Sequence, residues 1–266
     1  MCRFFARLGI ALQLMLLTFP SDAQALVGYS SGAQGTFWSI NLSDGTDSVL
    51  GFGPNNLKAF GYAPDQSLVG YASGAQGTFW ALDLLSGTSS LIGFGPNNLK
   101  DFEYAPDRTL VGYAGGAQGT FWAIDVASGT SSLLGFGPNN LQDFAYAPDG
   151  TLVGYARGAQ GTFWSIDLSA GTTNLLGISL NDLQAFEYSS DGALVGYKGA
   201  AQGTFWTIDL VSGTNTLLGV GPNNLQDFAY MPTPVPEPAA LWLMSVGLVM
   251  TIGFLSQRDS RAKAIA

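Results

Sequence analysis

The sequence predicts an all-β protein built as a five-bladed β-propeller, and two observations carry this prediction. The tetrapeptide Leu-Val-Gly-Tyr recurs every 42 residues, beginning at Leu26, Leu68, Leu110, Leu152 and Leu194. A period of about 40–45 residues is typical of a four-stranded propeller blade. The 36 glycines, together with many β-branched and aromatic residues, favour short strands between tight turns rather than helices.

The third repeat indicates where the four strands of a blade lie. Proline and aspartate in Pro106-Asp107-Arg108 are turn residues, and glycines dominate the loop 115–119. The apolar and aromatic runs between these turns predict strands at residues 101–105, 109–114, 120–126 and 132–136. The segment Pro138-Asn139-Asn140-Leu141 then leads into the next blade.

The phase of the repeats predicts that one blade is shared between the two ends of the repeat region. This region starts with a strand two, residues 26–30, and ends with a strand one, residues 227–231. Pairing of these two strands would close the ring and leave no unpaired inner edge. We therefore expect residues 26–232 to form one closed domain. In blade number it resembles the tachylectin type of five-bladed lectin, with which it shares no ligand motif.

Residues 1–25 have the layout of a cleavable signal peptide. Arg3 and Arg7 precede an apolar run at 8–19, and Ala23-Gln24-Ala25 predicts cleavage after Ala25 by a signal peptidase. The run is shorter than the roughly 20 residues of a membrane span, so an N-terminal anchor is the weaker alternative. The lone cysteine, Cys2, would be lost on cleavage, and the exported fold would rest on packing without disulfides.

Composition excludes several classes of function. The chain has no histidine, and its only cysteine lies in the leader, which removes the usual zinc and copper ligands and Ser–His or Cys–His nucleophilic machinery. We therefore expect no enzyme. Residues 26–232 carry 16 acidic and 5 basic residues, a net charge of −11. Nucleic acid is consequently a poor partner, whereas cations and neutral sugars suit this surface.

The repeated tryptophans are predicted to pack between neighbouring blades, because blades are covered on both faces. The alternative is a platform on which sugar rings stack. The five residues are Trp38, Trp80, Trp122, Trp164 and Trp206. The aspartates that follow them in strand three, among them Asp83 and Asp125, are expected to bond turns or neighbouring blades rather than to act as catalytic acids.

A ring of polar side chains on one face of the propeller is the candidate ligand site. The glutamine of the repeated Gly-Ala-Gln-Gly-Thr-Phe-Trp segment lies in the loop between strands two and three, where packing requires no long polar side chain. That loop and the connection to the next blade open on the same face. The candidate residues are Gln34, Gln76, Gln118, Gln160, Gln202, Asn97, Asn139, Asn223, Asp101, Asp143 and Asp227.

Amides and carboxylates in such a ring would bind sugar hydroxyls, in a polysaccharide for example, or hold calcium, which prefers oxygen ligands. No other cofactor is expected. The alternative is structural, with asparagines forming local turns and glutamines bridging backbone groups between blades. Duplication alone would also keep the five copies alike.

The composition changes abruptly after Pro232. Residues 233–238 form a proline-rich linker, and residues 239–255 are an uncharged run followed by Arg258, Arg261 and Lys263. As a helix this run would be roughly 26 Å long, which is the short end of what spans a bilayer. Residues 239–266 are therefore predicted to be a hydrophobic helix with a basic, cytoplasmic tail that holds a precursor transiently in the inner membrane.

Pro236-Glu237-Pro238, the apolar run and the terminal arginines together resemble the PEP-CTERM sorting signal. The resemblance implies recognition by an exosortase-type enzyme, removal of the tail at the Pro-Glu-Pro motif, and transfer to the cell surface or extracellular matrix. A plain membrane anchor is the alternative. The sequence thus predicts an exported, structural or adhesive component of the extracellular polysaccharide matrix; the alternative function is a lectin with up to five equivalent sites.

Overall fold

Alternating apolar residues and tight turns divide residues 25–231, the part of the chain that the computed structural model describes, into twenty short β-strands. The strands are β1 (Leu26–Ser30), β2 (Gly35–Asn41), β3 (Thr46–Gly53), β4 (Leu57–Tyr62), β5 (Leu68–Ala72), β6 (Gly77–Asp83), β7 (Thr88–Gly95), β8 (Leu99–Tyr104), β9 (Leu110–Ala114), β10 (Gly119–Asp125), β11 (Thr130–Gly137), β12 (Leu141–Tyr146), β13 (Leu152–Ala156), β14 (Gly161–Asp167), β15 (Thr172–Ser179), β16 (Ala185–Tyr188), β17 (Leu194–Lys198), β18 (Gly203–Ile208), β19 (Asn215–Gly221) and β20 (Asp227–Tyr230).

The strands form five antiparallel sheets of four, which confirms the five-bladed propeller. Blade 1 has the order β20-β1-β2-β3, and blades 2 to 5 are β4 to β7, β8 to β11, β12 to β15 and β16 to β19. Strand one of each blade, β20, β4, β8, β12 and β16, contacts strand one of both neighbouring blades in a closed cycle. These five strands therefore surround a central channel.

Blade 1 is shared between the two ends of the described chain, as the phase of the repeats predicts. Strands β1 and β20 pair antiparallel, with Val27 opposite Ala229 and Tyr29 opposite Asp227. The ladder continues where Met231 N donates to Ala25 O at 3.0 Å. This pairing closes the ring through hydrogen bonds rather than through a covalent connection.

The predicted strands of the third repeat agree with β8 to β11 apart from their ends. Strand β8 begins at Leu99, two residues before the predicted start, and the register shifts between Leu99 and Asp101. The turn after it is tight, because Arg108 adopts a φ of 72°. Gly150 takes the same position in blade 4 with a φ of 85°, in the left-handed region that glycine enters without strain.

Phenylalanine rather than tryptophan is the fully buried aromatic residue of strand three. Phe37 is completely buried and meets Phe60 of blade 2 edge-on, with ring centroids 5.3 Å apart. Trp38, the next residue along the strand, points to the opposite face of the sheet and is half-buried. The tryptophans still contact the apolar clusters between blades, as Trp80 does between blades 1 and 2. The tryptophans thus pack between neighbouring blades, as the sequence analysis predicts, while remaining partly exposed.

Outer-strand glycines let neighbouring blades approach each other closely. A Cβ atom added at Gly135 of β11 would lie 2.6 Å from the carbonyl oxygen of Leu168, which follows strand three of blade 4. Gly177 stands in the same relation to Leu210 of blade 5. The repeated glycine of strand four thus sets the spacing between the blades.

No helix in the described propeller is long and apolar enough to cross a membrane. The signal-peptide residues Ala23 and Gln24, the Pro-Glu-Pro motif and the hydrophobic run 239–255 lie outside the described residues.

Candidate functional site

One end of the propeller carries the loops between strands two and three together with the connections from each blade to the next. We call this end the glutamine face, after Gln34, Gln76, Gln118, Gln160 and Gln202. A buried tyrosine of strand two joins the two sets of loops in every blade. In blade 1 the Tyr29 hydroxyl donates to Pro54 O at 2.7 Å and accepts from Leu57 N at 3.2 Å. The predicted clustering of these loops is therefore present.

All five glutamines of this face are exposed, and their side chains make no hydrogen bond to the rest of the propeller. They do not bridge the blades through hydrogen bonds, as the structural alternative expected. Asn97, Asn139 and Asn223 are exposed on the same face. The asparagine that follows takes a turn conformation in two blades, with φ angles of 64° at Asn98 and 61° at Asn224.

The three candidate aspartates lie inside the channel, below the glutamine face, where they hold blades together. Asp143 accepts the amide of Phe144 at 2.8 Å and the amide of Phe186 in blade 5 at 2.6 Å. Asp227 accepts the amide of Phe60 in blade 2 at 2.8 Å, and Asp101 accepts the amide of Phe144 in blade 4 at 3.1 Å. Both oxygens of each carboxyl group thus accept hydrogen bonds from backbone amides.

Two further carboxyl groups, Glu103 and Glu187, extend this acidic lining of the channel, and the sequence analysis missed them. They lie two positions after the aspartate or alanine of strand one, so the alternation of a β-strand would have placed them on the same side. Burial raises the pKa of Glu103 to about 8, with a further contribution from nearby Asp101. Burial likewise raises the pKa of Glu187 and of all three channel aspartates.

Among residues 25–231, no three acidic side chains converge in an arrangement that would hold a metal ion. The prediction of bound calcium therefore gains no support from the geometry. The aspartates that end strand three bond their own turns, as expected; Asp83, for example, accepts the amide of Leu85 at 3.0 Å.

A depression of about 650 Å³ opens at the centre of the glutamine face, at the mouth of the channel. Each blade contributes the long polar side chain that precedes its channel aspartate or alanine: Lys58, Lys100, Gln142, Gln184 and Gln226. Arg157, from the loop between strands two and three of blade 4, also lines it. The sequence does indicate this ring, because in every repeat a long polar residue follows the leucine that precedes the channel position. The sequence analysis missed this pattern.

No protein-family model and no curated protein matches the sequence. Among solved structures, the chain is similar to TolB from Acinetobacter baumannii, with a TM-score of 0.52 and 14% identity over 74% of this chain and 53% of that one. It is also similar to a putative gluconolactonase, with a TM-score of 0.49 and 15% identity over 79% and 85% of the two chains. The similarity to a putative 6-phosphogluconolactonase from Bacteroides fragilis NCTC 9343 has a TM-score of 0.48 and 10% identity, over 80% of this chain and 99% of that one.

These likenesses concern the fold alone, because the identities are so low. The chain spans about half the length of the TolB chain that it resembles.

Proposed function

We propose that this protein is an exported, surface-sorted and non-enzymatic propeller that serves as a structural or adhesive component of the extracellular polysaccharide matrix. The observation that carries the proposal is the repeated display of five exposed, unbonded glutamines on one face of a closed ring. Several equal weak contacts on one rigid body bind a repetitive partner far more tightly than one contact does. A repetitive polysaccharide is such a partner.

Two features favour a non-enzymatic role. The absence of histidine excludes the commonest general base, and the channel aspartates are engaged by backbone amides that hold the blades together. In this proposal a signal peptidase removes residues 1–25, and the chain stays in the inner membrane through residues 239–255. An exosortase-type enzyme then acts at Pro236-Glu237-Pro238 and passes the propeller to the cell surface.

The sorting part is tested by replacing Glu237 with alanine and measuring the intact mass of the surface protein. We expect wild type to end near Pro238, and Glu237→Ala to accumulate as a heavier precursor in the membrane fraction. Asp259→Ala is the matched control, since it removes an acid from the same tail outside the motif. If all three proteins end at Ala266, the tail is a plain anchor and the sorting proposal fails.

A lectin with up to five equivalent sites is the second candidate, and a groove beside one of the glutamines favours it. Gln160, Ser179 and Asn181 line a cavity of about 380 Å³ between blades 4 and 5. Asn215 of blade 5 completes it, accepting a hydrogen bond from Ser179 Oγ at 2.6 Å. A groove of this size with several amide and hydroxyl groups suits one sugar ring.

The lectin function is tested on a glycan array with the combined variant Gln76→Ala, Gln118→Ala and Gln160→Ala. Because these side chains bond nothing in the propeller, we expect unchanged circular dichroism and melting temperature, together with loss of most saturable glycan binding. Gln66→Gly is the control, because it removes an exposed amide from the opposite end at a φ of 69° that glycine accepts. Saturable binding that survives the triple replacement would reject the glutamines as the sugar site.

A further inference from the structure

The basic residues of this acidic propeller are gathered at one end of the channel. Of the five bases in residues 25–231, Lys58, Lys100 and Arg157 line the central depression of the glutamine face, and Lys198 ends strand two at that same face. The fifth, Arg108, lies in the turn between strands one and two at the opposite end. The turns at that end carry Asp65, Asp107, Asp149 and Asp191. The depression is therefore a basic site in a protein of net negative charge.

None of these cations is neutralised by the propeller itself. Within the described residues, no lysine or arginine forms a salt bridge with an aspartate or glutamate. Lys100 Nζ instead donates to Leu141 O at 3.1 Å, and Arg157 Nε donates to Leu183 O at 2.9 Å. These bonds fix the positions of both side chains, while the terminal guanidinium nitrogens of Arg157 have no partner in the propeller. Unpaired, positioned cations around a cavity favour an anionic ligand.

A buried acceptor without a donor lies beside the depression. Gln184 Oε1 is the one buried side-chain atom of the described residues that has no hydrogen-bond partner, and it lies against Gly199 beside the depression. The matching Gln226 is exposed, and its Nε2 donates to Ser31 Oγ at 2.6 Å. Native proteins rarely leave a buried acceptor unpaired. The Gln184 side chain, which also lines the depression, would gain a donor by turning its amide toward a ligand hydroxyl.

We propose that the central depression is a single binding site for a sugar that carries a carboxylate group. The cations would hold the carboxylate at the rim, with the planar guanidinium of Arg157 suited to a two-point contact, and Gln142, Gln184 and Gln226 would bind hydroxyl groups. Its volume of about 650 Å³ lies within the range of small-molecule sites, roughly 300–1,000 Å³. This goes beyond the proposed function, which rests on five peripheral loops and requires no charge on the sugar.

The carboxyl groups deeper in the channel restrict where the anion sits. Asp101, Asp143 and Asp227 each follow a residue of the rim directly in sequence. Their oxygens accept hydrogen bonds from backbone amides of their own and neighbouring blades. The cations lie at the rim rather than among these carboxyl groups, so an anion would be held at the rim.

The test is titration calorimetry of the full-length protein with three probes: trigalacturonate, its methyl ester and inorganic phosphate. The methyl ester keeps the sugar and removes the charge, and phosphate supplies charge without the sugar. We expect saturable binding of one trigalacturonate per protein, at least tenfold tighter than either of the other probes, and weaker at higher salt. Equal affinity for the ester would overturn the requirement for charge, and equal affinity for phosphate would overturn the requirement for a sugar.

Each variant for this test copies a residue that another blade carries at the same position, so the fold should tolerate it. Lys100→Gln copies Gln142, and Arg157→Ser copies Ser73. We expect each to weaken trigalacturonate binding at least fivefold. Arg108→Gln copies Gln66 and removes one positive charge from the opposite end, so it should change the affinity less than twofold. If it weakens binding as much as Arg157→Ser does, the effect is one of net charge and the site is wrong.

A final arm separates this site from the peripheral loops. The combined replacement of Gln76, Gln118 and Gln160 with alanine should leave trigalacturonate binding unchanged. Loss of binding in that variant would transfer the site from the central depression to the loops and overturn the inference.

Discussion

The carboxyl groups of this protein fall into two classes whose pKa values shift in opposite directions, according to what surrounds each group. In the turn after β8, Asp107 accepts the Thr109 amide at 2.9 Å, and this hydrogen bond lowers its pKa. In the channel, burial raises the pKa of Asp143, and the neighbouring charge of Asp101 raises it further. A folded state that binds protons more tightly than the unfolded chain loses stability as the pH rises. The channel carboxyls therefore favour mildly acidic conditions.

We predict that the free energy of unfolding falls between about pH 5 and pH 8, the window between the usual carboxyl pKa and the pKa of about 8 at Glu103. Asp143→Asn should flatten this dependence, because it removes a buried group that titrates, while its single amide oxygen can still accept one of the two backbone amides. Urea unfolding across this pH range measures the effect. Asp182→Asn, an exposed change outside the channel, is the control, and an equal slope in Asp143→Asn would contradict the prediction.

Each blade is joined to the next by one buried hydroxyl group, and this joint is repeated around the ring. Tyr113 of β9 is fully buried; its hydroxyl donates to Pro138 O at 2.6 Å and accepts from Leu141 N at 3.2 Å. The tyrosines at the same position in the other four blades make the same pair of bonds. The connection between blades is thereby held against strand two, which also gives the glutamine face its shape.

Tyr113→Phe should therefore destabilise the propeller by about 1–3 kcal/mol, because it leaves a carbonyl and a buried amide without their partner. Thermal and urea unfolding measure the loss. Tyr104→Phe is the matched control: Tyr104 is half-buried at the end of β8, and its hydroxyl makes no hydrogen bond within the described residues. A loss at Tyr104 as large as that at Tyr113 would show that ring packing, rather than the hydroxyl bridge, is responsible.

For the whole molecule, closure depends on the shared blade. The backbones of Ala25 and Met231 are hydrogen-bonded to each other, so the two ends of the ring are adjacent. Blade 1 is assembled from both ends, whereas the other blades are each continuous in sequence. An open ring would expose the edges of β2 and β20, and such edges invite aggregation.

Deleting residues 26–30 should thus cause aggregation or a large fall in melting temperature, seen by size-exclusion chromatography and circular dichroism. A circular permutant that begins at Thr151, with a short linker between Met231 and Ala25, should remain monodisperse and fold, since the new ends lie in an exposed turn and all strand pairs are kept. An unchanged melting temperature after the deletion would argue against closure through β1 and β20.

The repeat period by itself determined the blade number, the order of the strands, the shared blade and the end of the propeller that carries the glutamines. These properties follow from the number of repeats and from the strand at which the first repeat begins. Each 42-residue repeat supplies four apolar runs, and the ring closes only if the first and last strands share a blade. The predicted strand boundaries differ from the observed ones by a few residues, because the hydrogen-bonded ladder extends past the apolar run, as at Leu99. The tail and leader predictions rest on sequence patterns alone.

Only the tertiary structure decided which residues meet around the axis. Phe37 is buried more deeply than Trp38, and backbone amides of neighbouring blades donate to the channel aspartates. The basic depression arises from residues in which the repeats differ, such as Lys100 and Arg157, which belong to separate blades. Periodicity reports what the repeats share, whereas this site depends on where unlike residues from different repeats come together in space.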